Sequence, residues 1–231
     1  MPRRDDIGAG VRDMAAILVA AAPIGLLWGT LAAGKGFSAL EAWLMSVFVF
    51  AGASQFVAIE LWQTPVDVFA VALAVFIVNL RHILMAASLS RQVGAVKPAL
   101  IPLMAYVLVD EAWALSERRA LSQKFSLAYY LTCGFGMWIT WTTSTALGAW
   151  LGRSFGDPAA LGIDFAFSAM FIGIIAGFWK GPKTAAVLAV AGGVAALAKL
   201  TVPGAWYILA GGLSGVVMAA ALYREGDNDV A

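Results

Sequence analysis

The chain has 231 residues and a formal net charge of +1, with 61% hydrophobic and 13% charged residues, where soluble domains carry roughly 45–50% and 25%. So few polar residues cannot cover a water-soluble surface of this size, and the near-neutral balance points to neither nucleic acid nor an acidic partner. With Cys133 as the one cysteine and His82 as the one histidine, an internal disulfide and a Cys/His metal cluster are also excluded, and no metal or other cofactor is expected.

A bilayer core about 30 Å thick needs about 20 apolar residues as a helix. The first such run, Met14–Ala33, follows Arg3, Arg4 and Arg12. It is longer than the roughly 7–15 apolar residues of a signal peptide, so it is read as a retained first helix. The second, Ala42–Trp62, holds Gly52-Ala53-Ser54-Gln55 at its middle. A break there would bare backbone groups, which lipid does not tolerate but a cavity does. Half-helix ends of this kind hold carboxylate and ammonium groups in transporters. The competing reading is a continuous helix with a small packing face.

The third run, Val68–Leu89, carries Asn79, Arg81 and His82 in the stretch "NLRH". Arg81 is eight residues from the run's end, about 12 Å deep. A charge at that depth costs a few kcal/mol or more unless it meets a partner or a wet cavity. Ala70, Ala74, Arg81 and Ser88 share one helical face. His82 either carries a proton near neutral pH or is a neutral, hydrogen-bonded ring. The fourth run, Ala99–Leu115, contains Asp110 and Glu111 about 17 Å from the same face. If the two runs are antiparallel, Asp110 or Glu111 pairs with Arg81. Such a pair either works in transport or fixes helix register.

The fifth run, Ser126–Leu151, has hydroxyls at Thr140, Thr142, Thr143, Ser144 and Thr145, which either line a path or bond to their own helix. Phe165–Trp179, Thr184–Leu200 and Ala205–Leu222 complete the series. Thr184–Leu200 is short and interrupted by Gly192-Gly193. Seven or eight spans are therefore expected, in an all-α polytopic membrane protein. The gaps leave no room for another domain, so residues 1–231 read as a single transmembrane transporter domain surrounded by lipid.

With eight spans and a cytoplasmic N-terminus, nine basic residues fall on the cytoplasmic side and five, Arg91 and Lys97 among them, outside. That bias favours a cytoplasmic N-terminus. Trp43, Trp62, Trp150, Trp179 and Trp206 lie near span ends, where indoles favour the headgroup boundary. The pairs Gly25/Gly29, Gly148/Gly152, Gly173/Gly177 and Gly211/Gly215 supply close-packing faces. Gly36–Gly52 resembles Gly156–Gly173 in turn and apolar spacing, which suggests an internal repeat.

"GTLAAGKG" (Gly29–Gly36) nearly spells a phosphate-binding loop but lacks the closing Ser/Thr and follows no strand. Ser54, Cys133 and Ser144 are available nucleophiles, but the sole histidine lies in another span. The chain is read as a non-enzyme, and Cys133 has no assigned role.

"AGKGFSALEAWLMSVFVFAGASQFVAIEL", "NLRHILMAASL" and "DEAWAL" together resemble the AzlC family of branched-chain amino-acid permeases, most closely over Leu27–Leu115. The resemblance implies a carrier in the cytoplasmic membrane that exports valine, leucine, isoleucine and related apolar amino acids such as methionine. It also implies a small hydrophobic AzlD-type partner subunit. One departure is Val109, where the family commonly has threonine. The residues expected to bind substrate or line its path are Gly52, Ser54, Gln55, Asn79, Arg81, His82, Asp110 and Glu111. A channel or scaffold subunit without amino-acid transport is the alternative reading, and a homo-oligomer is left open.

Overall fold

The computed structural model describes residues 4–63, 65–94, 96–152, 172, 176, 179, 181–202 and 206–222. The predicted span Phe165–Trp179, except for three isolated positions, and most of the second arm of the repeat, Gly156–Gly173, lie outside these residues, as does the pair Gly173/Gly177. Among the described residues the chain is all α-helix apart from one 3-10 turn. Among the described residues three helical stretches are long and apolar enough to cross a bilayer: Asp5–Gly34, Val68–Ser90 and Pro182–Thr201. The protein is a multi-pass membrane protein. Residues group into two compact units, 1–60 with 78–166, and 61–77 with 167–231.

The first unit is built on two long helices, α1 (Arg4–Gly34) and α8 (Leu127–Gly152). Two of the glycine pairs expected to mediate packing, Gly25/Gly29 and Gly148/Gly152, meet here. A methyl group at Gly29 would overlap the Thr145 carbonyl, and one at Gly148 would overlap the Leu26 carbonyl. Apolar attraction between helices is weak in lipid, so backbone contact through glycines replaces it. The helices run parallel: Tyr129 bonds to Asp13 near their starts, and Gly25 meets Ser144 further along. Cys133 is buried in this interface with its Sγ 4.0 Å from the Gly10 carbonyl, a packing role.

α1 ends at a turn in which Gly36 takes a φ of 92° that side chains rarely adopt. Ser38 then opens α2 (Ala39–Phe48) with a reciprocal capping box to Glu41. The second predicted span does break, but at Val49–Ala51, just ahead of the small residues. Gly52–Gln55 forms the first turn of α3 (Gly52–Glu60) instead. Gln55 Nε2 donates to Ser46 Oγ at 2.9 Å. A continuous helix would part residues nine apart by about 13 Å, so the chain bends back at this break.

α4 (Val68–Asn79) and α5 (Arg81–Ser90) are separated by Leu80 alone, whose φ of −54° and ψ of −28° remain helical. The third span is thus helical along its length apart from a local interruption at Leu80. The fourth predicted span is corrected outright. A 3-10 turn (Pro98–Leu100) leads into α6 (Ile101–Tyr106); the chain is non-helical over Val107–Val109 and resumes as α7 (Asp110–Ala120). Gln92 Nε2, before this excursion, donates to Glu117 Oε2 near its end, at 2.6 Å. A segment that leaves and returns to one place does not cross a bilayer. α7 is therefore parallel to α5, not antiparallel: Arg81 pairs with Asp110, and seven residues on, Ser88 bonds to Glu117. Arg119 then meets Asp6 at the start of α1, at 2.7 Å.

The second unit contains α9 (Pro182–Thr201) and α10 (Trp206–Leu222). They pack as a pair, with Gly211 and Gly215 of α10 against Ala191 and Ala195 of α9. Gly192 and Gly193 do not interrupt α9, so this stretch is one continuous helix long enough to span.

Candidate functional site

The three interruptions in the first unit meet. A cleft of about 320 Å³ is lined by Phe48, Val49, Phe50 and Ala51 from the first, Asn79 and His82 from the second, and Ala105, Tyr106 and Leu108 from the third. Its volume lies at the lower end of small-molecule sites, roughly 300–1,000 Å³.

Interrupting a helix frees carbonyls that need partners. Aromatic side chains supply them. Tyr106 Oη donates to Val47 O at 2.8 Å and accepts from Trp138 Nε1 at 2.7 Å. Tyr130 Oη donates to Met104 O at 2.8 Å. His82 Nδ1 lies 3.2 Å from Asn79 O. A carbonyl only accepts, so Nδ1 is the donor in this contact. These aromatic caps escaped sequence reading, because a Tyr or Trp in an apolar run looks like packing.

Asn79 and His82 line the cleft, while Arg81 and Asp110 do not but adjoin its lining in sequence, next to His82 and two residues after Leu108. Ser54 Oγ donates to Asn79 Oδ1 at 2.7 Å, which orients the amide. Among the described residues the Asn79 amide nitrogen has no hydrogen-bond partner. Arg81 Nη1 and Asp110 Oδ2 are 2.6 Å apart, with side chains 38% and 47% exposed. Each is the first residue of its helix, so this pair ties the starts of α5 and α7 together. Glu111 occupies the next position in that first turn.

Gly52, Ser54 and Gln55 do not line the cleft; they lie behind it. A Cβ at Gly52 would approach the Trp141 ring to 3.0 Å. Trp141 Nε1 donates to Gln55 Oε1 at 2.7 Å, and Ser46 Oγ bonds Thr145 Oγ1 at 2.8 Å. This buried chain locks α2, α3 and α8 together, and a satisfied network of this sort fixes one geometry. The hydroxyls of Thr142, Thr143 and Thr145 bond to carbonyls of their own helix.

Interrupted helices around a cleft, inside a multi-pass membrane protein, are the construction of a transport protein. Residues 16–155 match the family described as AzlC protein, and the chain belongs to that family of membrane transport proteins. It is 29% identical over 217 residues to "Inner membrane protein YgaZ" of Escherichia coli (strain K12), covering 91% of this chain and 88% of that one. It is 32% identical over 184 residues to an "Uncharacterized membrane protein" of Archaeoglobus fulgidus, covering 79% of each. No solved structure matches it.

Proposed function

We propose that the chain exports apolar amino acids, branched-chain ones first, across the cytoplasmic membrane together with a small AzlD-type subunit, and that the cleft is where the substrate binds. The observation carrying this reading is the junction of three interrupted segments, with apolar walls around Asn79 and His82. A zwitterion needs three receptors, and the surroundings offer each. The carbonyl ends of α2 and α6 carry negative partial charge and suit an ammonium group. The Asn79 amide, which lines the cleft, suits a carboxylate. Phe48, Phe50 and Leu108 suit a branched side chain. Ser54 and Gln55 hold this arrangement in place, while Arg81 and Asp110 neutralise one another at its edge, beside Glu111. Export and the partner subunit follow from the family resemblance.

The test is counterflow of labelled leucine and valine in liposomes containing the chain with its partner subunit. Both substrates should exchange, and Asn79→Ala should slow exchange at least tenfold while the protein remains monodisperse. Wild-type exchange in Asn79→Ala, His82→Ala and the double variant would overturn the site. Ion leakage with no amino-acid exchange would favour a channel.

A further inference from the structure

The helix α7 is unlike its neighbours. Five of its eleven residues are charged: Asp110, Glu111, Glu117, Arg118 and Arg119. Asp110 and Glu117 are seven residues apart and share a face, with Trp113 between them at helical spacing. That face meets α5 through polar contacts at both ends. Arg81 pairs with Asp110 beside the cleft, and Ser88 and Gln92 both donate to Glu117 at the far end. Arg81 Nε, Trp113 Nε1 and Gln92 Oε1 are buried along this same seam and find no partner among the described residues. Native interiors leave few polar atoms unsatisfied, and a run of them marks a place that water or a polar solute visits. Seams between helices in lipid use small residues and uncharged hydrogen bonds, whereas this one carries charged side chains at both ends.

We propose that the seam between α5 and α7 is the route by which the cleft opens to the membrane face where α1 begins, and that Glu117 is the group that holds it closed. The direction follows from the contacts. The seam starts at Arg81 and Asp110, next in sequence to His82 and two residues beyond Leu108 of the cleft. It ends at Glu117, two residues before Arg119, which meets Asp6. Parting α5 from α7 breaks the Arg81–Asp110 pair and the hydrogen bonds to Glu117, which water or a zwitterion replaces as it enters. This inference rests on the cleft being the substrate site, and its test does not depend on which substrate is carried.

In a Cys133→Ala background, Ala51→Cys places a thiol in the cleft. Its modification by a membrane-impermeant methanethiosulfonate is timed from each face of oriented vesicles. Glu117→Ala should raise the rate about tenfold from the face where α1 begins and leave the other face unchanged. Gln92→Ala, which removes one of the two donors, should raise it less, and serves if Glu117→Ala does not fold. Rates unchanged in the folded variants, or raised equally from both faces, would overturn the seam as the route. Leucine exchange measured in the same vesicles separates that failure from a failure of the substrate assignment.

Discussion

Val109 shows how much one side chain decides at a helix start. It is the residue before α7, in extended conformation (φ −131°, ψ 159°), and its side chain makes no capping bond. A hydroxyl there would accept from a first-turn amide. The departure from threonine noted in the sequence therefore falls on a cap position. Val109→Thr should stabilise the protein by about 1 kcal/mol, read as a higher thermal midpoint in detergent. A midpoint that does not rise would show that the hydroxyl cannot reach those amides. The ion pair beside it behaves differently. Arg81→Ala leaves Asp110 next to Glu111 without its counter-charge, and removing one member of a paired site costs more than removing both. Arg81→Ala should therefore lower the midpoint more than the double variant Arg81→Ala/Asp110→Ala, and a double variant that is the less stable would refute that account. Charges such as these stand out in sequence because lipid makes them expensive. Glu117 and Gln92 do not stand out, since they read as span end and loop, and Ser88 is legible only as sharing the Arg81 face.

At the level of elements, the glycine pairs and the breaks were unequally legible. Close packing through Gly25/Gly29 and Gly148/Gly152 could be foreseen from spacing, though not that the two pairs face one another. Gly29→Ala should destabilise the α1–α8 contact by roughly 3 kcal/mol or more, since backbone lies where the methyl would go. Gly192→Ala, with open space around it, should be neutral or stabilise by up to about 1 kcal/mol. Comparing the two melting curves checks the interface, and equal shifts would discard it. The sequence places the second-span break at Gly52–Gln55, three residues after its position at Val49–Ala51, because these small residues belong to the helix that follows. The break at Val107–Val109 was missed, although Asp110 and Glu111 followed by Arg118 and Arg119 is the charge order of a complete helix. Hydropathy outweighed that signal, since the flanking residues are apolar enough to suggest one span.

For the whole molecule, the contact between Gln92 and Glu117 changes the topology that length alone implies. Eight equal spans place the segments 91–97 and 121–126 on opposite faces of the membrane. The structure brings both to the end of the first unit where α1 begins, because the intervening helices turn back at Val107–Val109. Arg91 and Lys97 then join Arg4, Arg12, Arg118, Arg119 and Lys124 on one face. Among described residues of the first unit, Lys35 alone marks the opposite end. A bias that was nine to five in the even-span reading thereby becomes one-sided there, and it favours a cytoplasmic start for α1 under the positive-inside rule. Gly94→Cys and Ser122→Cys, each in a Cys133→Ala background, distinguish the arrangements. An impermeant maleimide should label both from the same face, the cytoplasmic one, at similar rates. Labelling from opposite faces would restore the fourth segment as a true span, and would also remove the geometry that sets α7 parallel to α5 along the seam.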